Sequence, residues 1–151
     1  MGTSTSNENS SSKFHNTRVF AASRQQVWKA FADPAQLAQW WGPAGFTNTF
    51  HEFSFEPGVL WKYTMHAPDG TGYYNESEFL ELVPHERIVL RHWRPMHQFD
   101  LTMMLAEEAG GTRLTWTMVF EKEEEAERVR AFVPAANEQN LDRLEALLKT
   151  A

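Results

Sequence analysis

The sequence has no cysteine, so disulfides, thiolate metal sites and a cysteine nucleophile are all excluded. It has no apolar run near the roughly 18 residues that a membrane helix needs, and no membrane partner is expected. Basic charge is scarce: 14 Lys and Arg stand against 20 Asp and Glu, whereas a phosphate backbone calls for the opposite balance. No nucleic acid is therefore expected as a partner. The GxSxG nucleophile elbow, the GxGxxG and GxxxxGKS/T phosphate loops and the HExxH zinc motif are all missing. Serine clusters before residue 13, with only Ser23, Ser54 and Ser77 beyond it, which leaves little material for a serine nucleophile.

What the chain does have is apolar and aromatic residues, 42% and 13% of the total, enough for one domain with a core over 14–151. Residues 1–13 (MGTSTSNENSSSK) are Ser- and Asn-rich and predict a disordered tail, not a signal peptide, and a cytoplasmic location follows by default. Residues 13–22 read as a strand. Ser23 has the hydroxyl to cap a helix beginning at Arg24, in which Val27, Trp28 and Phe31 share a face. Asp33-Pro34 marks a second helix start, with proline at the first position, where its missing amide is not needed. Leu37, Trp40 and Trp41 follow at helical spacing, and Gly42-Pro43 ends the helix.

From Phe46 the apolar period changes to two. Residues 46–55, 59–66, 73–83, 87–94, 98–107 and 112–121 read as strands, separated by turn-forming Pro, Gly and Asp, and together they predict an antiparallel meander. Residues 123–149 return to helical spacing through Val129, Phe132, Ala136, Leu141, Leu144, Leu147 and Leu148. One long amphipathic helix is expected there, kinked or divided at Pro134.

The order of strand, two short helices, six strands and a long helix is that of the α+β helix-grip fold. RVFAAS (18–23), DPAQLAQWW (33–41), the following Gly42-Pro43, Pro68-Asp69-Gly70, PHERIV (84–89), GGTRLTWTMVF (110–120) and LDRLEALL (141–148) add specific motifs. With these, the chain resembles the heat-shock-protein-90 ATPase activator homologue family of the START-like, or SRPBCC, superfamily, over roughly residues 14–149. The resemblance implies a curved seven-stranded antiparallel sheet wrapped around the terminal helix, two short helices between strands 1 and 2, and a cavity between helix and sheet. It also implies a hydrophobic small molecule as partner, with no cofactor. The chain shows no counterpart of the additional domain of full-length cochaperone activators, so a chaperone partner is not expected.

Strand parity assigns the cavity wall. Trp61, Tyr63 and Met65 share one face and Trp116 shares its face with Met118, which suits them to line an apolar site with the Tyr63 hydroxyl as polar handle. His92 lies on the face of Ile88 and Leu90; Trp40, Trp41 and Phe46 would guard one end, and Phe132 and Ala136 would form the helical wall. Adjacent helical residues point about 100° apart, so only one of Trp40 and Trp41 is expected at the cavity while the other anchors the helix. An enzyme of cyclase or hydrolase type would use Tyr63, His92 or Glu76 as acid or base, but Glu76 and Glu78 share a face that reads as solvated. His51, His66 and His92 sit on strands that curve toward one another, but without metal-site spacing, and no metal is expected. An exposed edge strand leaves room for a homodimer.

Overall fold

A computed structural model of the chain describes residues 12–150. The chain runs β1 (Lys13–Phe20), α1 (Arg24–Ala32), α2 (Pro34–Trp40), β2 (Thr47–Glu52), β3 (Leu60–His66), β4 (Gly72–Val83), β5 (Arg87–Arg94), β6 (Phe99–Glu108), β7 (Gly111–Phe120), α3 (Glu123–Val129) and α4 (Val133–Thr150). The tail expected over 1–13 lies outside the described residues except at its end, where Lys13 already opens β1.

The strands form one antiparallel sheet in the order β1-β7-β6-β5-β4-β3-β2. Strands β2 to β7 are sequential neighbours joined by short turns, and β1 closes on the far side of β7, pairing Phe14 with Met118 and Phe20 with Thr112. Register shifts at Phe50/Glu52, Glu76/Ser77 and Phe79/Glu81 insert bulges, which bend a sheet and increase its twist. The curved face collects the inward residues of each strand: Trp61 and Tyr63, Phe79, Ile88 and Leu90, Leu101 and Met103, Leu114 and Trp116.

Local chemistry sets both short helices. Ser23 Oγ accepts from the Gln26 amide at 3.1 Å while the Gln26 side chain accepts from the Ser23 amide at 2.8 Å, a reciprocal cap on the first turn of α1. Asp33 caps α2 by accepting from the Ala35 amide at 3.0 Å, with Pro34 at the first helical position. Val27, Ala30, Phe31 and Leu37 bury α1 and α2 with Leu141, Leu144 and Leu148 of α4 in the common core.

The terminal helix is divided. Proline 134 has no amide to continue a preceding helix and its ring clashes with the carbonyl four residues back, so the chain turns at 130–132 and restarts with Pro134 in the first turn of α4. The helix is divided, as one of the two expected outcomes had it, but the break precedes Pro134: Phe132 falls in the turn and is 67% exposed.

Candidate functional site

Between α4 and the curved face of the sheet lies a cavity of about 480 Å³. Its floor is built by alternate residues of five strands: Tyr63 and Met65 of β3, Tyr73, Asn75 and Ser77 of β4, Leu90 and His92 of β5, Phe99 and Leu101 of β6, and Trp116 and Met118 of β7. The period of two puts these side chains on one face. The remaining wall comes from Trp41, Gly42, Pro43 and Phe46, from Pro95 to His97 in the β5–β6 turn, and from Asn137 and Asn140 of α4.

The stretch that links α2 to β2, residues 39–46 (QWWGPAGF), is held against the cavity by α4. Arg143 donates through Nη1 to the carbonyls of Trp41 (3.1 Å), Gly42 (2.9 Å) and Pro43 (3.0 Å), and through Nη2 to those of Gln39 (2.8 Å) and Phe46 (2.9 Å). One turn earlier, Asn140 accepts from the Gly42 amide at 3.3 Å and donates to the Trp40 carbonyl at 2.7 Å. Burial lowers the Arg143 pKa from its ordinary value, the direction expected when a guanidinium is partly removed from water. Gly42 has φ +100°, a conformation open to glycine, which lets the chain leave α2 sharply.

The two tryptophans separate in role because Trp41 is already outside the helix. It is the cap residue of α2, with extended backbone (φ −69°, ψ 130°), so helical angular spacing does not govern it. Trp40 is core: its indole donates to the Ala30 carbonyl at 3.0 Å and its ring meets Phe31 edge-on at 4.9 Å. Trp41 forms the cavity wall and packs on Trp61 at 5.3 Å and Trp116 at 5.9 Å.

Of the residues expected at the site, Trp41, Phe46, Tyr63, Met65, His92 and Trp116 line the cavity and Trp40, Trp61, Phe132 and Ala136 do not. Trp61 shares the face of Tyr63, which stacks on it at 4.2 Å, but its other neighbours Phe50, Phe53 and Phe79 fill that end of the interior with rings. Phe132 is removed by the turn before Pro134, and the half-buried Ala136 gives way to Asn137 and Asn140 as the helical wall. Met118, placed on the face of Trp116 by parity, lines the cavity too, and the same parity would have found Leu90 and Leu101. Asn137 and Asn140 carry no such signal, because inward polar side chains break the apolar pattern unless their distant partners are known.

A polar relay crosses the floor. Tyr63 Oη lies 3.3 Å from Ser77 Oγ, Ser77 Oγ lies 3.4 Å from His92 Nδ1, and His92 Nε2 lies 3.2 Å from the Pro95 carbonyl oxygen. A carbonyl only accepts, so Nε2 carries the proton; Nδ1 then accepts from Ser77, and the Ser77 oxygen accepts from Tyr63. Burial, helped by nearby His97, lowers the His92 pKa to about 4 against the pull of the Pro95 bond, which keeps the ring neutral at pH 7. Burial raises the Tyr63 pKa, outweighing its hydrogen bonds to Ser77 and Trp41, so the phenol stays protonated. As arranged, the relay is a fixed neutral hydrogen-bond chain.

Glu76 lies on the other face of β4, where it pairs with Arg94 at 2.8 Å and accepts from the Tyr74 hydroxyl at 2.8 Å. Asp100 likewise pairs with Arg91 at 2.7 Å outside the cavity. His51 and His66 are bonded to Thr64 and Thr49, each at 2.8 Å, on the outward face, whereas His92 points inward, so the three do not converge. Among the described residues no group of three or more His, Asp and Glu side chains is placed to hold a metal ion. Among the same residues no helix is long and apolar enough to cross a membrane.

The family model described as Activator of Hsp90 ATPase homolog 1-like protein matches residues 21–149. The chain belongs to this family. Solved structures share its curved antiparallel sheet and terminal helix. A solution structure of a protein from Arthrobacter aurescens is 24% identical, covers 93% of this chain and 88% of its own, and superposes with a TM-score of 0.86. A crystal structure of a Chromobacterium violaceum protein is 26% identical over 91% of this chain and 97% of its own, with a TM-score of 0.78. An AHSA1 protein from Silicibacter pomeroyi is 20% identical over 91% and 98%, with a TM-score of 0.75. The comparison with curated proteins finds no match.

Proposed function

We propose that this chain binds an apolar small molecule in the cavity between α4 and the sheet. The observation that carries the reading is the composition of the wall: apolar and aromatic side chains with a few polar groups, and no Lys, Arg, Asp or Glu, around about 480 Å³. That volume falls within the roughly 300–1,000 Å³ of small-molecule sites. The family's START-like fold, a scaffold generally used for ligands, supports the same reading. N-phenyl-1-naphthylamine, an uncharged dye that brightens in apolar surroundings, provides the test. Saturable brightening with the wild-type chain is expected, and it should be lost when Leu90→Trp fills the cavity while far-UV dichroism shows the fold intact. Absence of saturable binding, or equal binding by a folded Leu90→Trp variant, would reject the reading.

A further inference from the structure

We infer that the cavity selects an uncharged ligand whose planar apolar body carries a carbonyl-type acceptor, bound by the indole N–H of Trp116. The inference rests on the small-molecule reading above and specifies the chemistry of the same site. The wall holds no acidic or basic side chain apart from histidine, and the His92 ring has both nitrogens engaged, with Ser77 and the Pro95 carbonyl. The nearby Arg143 cation has its Nη groups committed to five carbonyls of the α2–β2 connection. A charged ligand would lose its hydration here and find no free counter-charge, a cost that an uncharged ligand avoids.

Within that wall, Trp116 is 2% exposed and its Nε1 has no hydrogen-bond partner among the described residues. A buried N–H without an acceptor loses its hydration without compensation, and a ligand oxygen restores the bond. Other wall donors each already hold a bond within the protein: Asn140 donates to the Trp40 carbonyl, Asn75 to the Tyr73 carbonyl and Asn137 to Asn16, and Tyr63 donates to Ser77. His97 Nδ1 also lacks a hydrogen bond, but it stands 3.5 Å from Glu125, a group of the protein itself. The Trp61 indole N–H is similarly unpartnered but lies outside the cavity wall. Trp41 and Trp116, tilted by 34° with centroids 5.9 Å apart, add flat apolar surface beside the donor, which suits a planar body.

Three probes of one shape separate these features: 2-acetylnaphthalene has the acceptor, 2-ethylnaphthalene lacks it, and 2-naphthoate replaces it with an anion. Calorimetry with the wild-type chain at pH 7.5 is expected to show 2-naphthoate at least tenfold weaker than 2-acetylnaphthalene. The affinity ratio of 2-acetylnaphthalene to 2-ethylnaphthalene should fall about tenfold in Trp116→Phe, the size of one buried hydrogen bond. In ¹⁵N-labelled wild-type protein, the Trp116 indole proton should move downfield with 2-acetylnaphthalene and not with 2-ethylnaphthalene; this arm needs no variant to fold. Equal binding of the anion, or an indole signal indifferent to the ketone, would overturn the inference while leaving apolar binding in place. Failure of all three probes would remove the small-molecule reading and the inference together.

Discussion

The guanidinium of Arg143 donates to the carbonyl of Phe46 at 2.9 Å, joining the middle of α4 to the far end of the QWWGPAGF stretch. The same group reaches Gln39, Trp41, Gly42 and Pro43, so one side chain satisfies carbonyls on both sides of the chain reversal. Lysine has a point charge and three donors and cannot reproduce that planar fork. Arg143→Met should cost about 2–3 kcal/mol in urea unfolding because several carbonyls lose their donor, and Arg143→Lys should recover less than half of that. A loss below about 0.5 kcal/mol for Arg143→Met would show that water replaces the guanidinium at no penalty.

Gly42 adds a backbone constraint at the same place. With φ +100°, any side chain there is strained, and a Cβ would stand 2.7 Å from Met65 Cε. The methionine tip can swing away, so the lasting penalty is conformational. Gly42→Ala is expected to destabilise the chain by about 1–2 kcal/mol and to displace Met65, a cavity-wall residue. Unchanged thermal stability would count against the left-handed turn.

The strands and the inward faces of β3, β5 and β7 were legible because alternation is local: each inward residue is defined by its neighbours two positions away. Tyr63, Met65, His92 and Trp116 were found that way. Trp61 obeys the same parity, but its place is decided by Phe53 and Phe79, brought to it by the fold of the sheet. Phe132 was misplaced because the expected break falls at 130–132, before Pro134, so helical phase does not extend back from Ala136 to Phe132. Asn137 and Asn140 were invisible for a different reason: their burial depends on partners about a hundred residues away, Asn16 for one and the Trp40 carbonyl for the other.

The separate roles of Trp40, Trp41 and Phe132 can be checked with substitutions. Trp40→Ala removes a ring that is 1% exposed together with its bond to Ala30, and should cost about 3–5 kcal/mol. Phe132→Ser, in an exposed turn, should stay within about 0.5 kcal/mol of wild type and leave dye binding unchanged. Trp41→Phe should alter dye affinity, because it changes the wall itself. Loss of dye binding in Phe132→Ser would return that residue to the site.

His92 makes stability depend on pH. Its pKa is about 4 in the folded chain against an ordinary 6.5, chiefly through burial, so between those values the unfolded chain takes up a proton that the folded chain refuses. Stability from this residue is complete above pH 6.5, falls as the pH drops toward 4, and levels off below that, by roughly 3 kcal/mol in total. Between pH 7.5 and 5.0 the loss should be about 2 kcal/mol. Within that window the ion-paired Glu76, Glu108 and Glu138, all lowered from 4.5, remain largely ionised and add little. His92→Gln removes the titrating ring but keeps a polar side chain beside Ser77. Urea unfolding of both proteins at pH 7.5 and 5.0 should therefore show a pH-induced loss smaller in the variant by about 2 kcal/mol. The same loss in both proteins would mean that His92 is not the group refusing the proton.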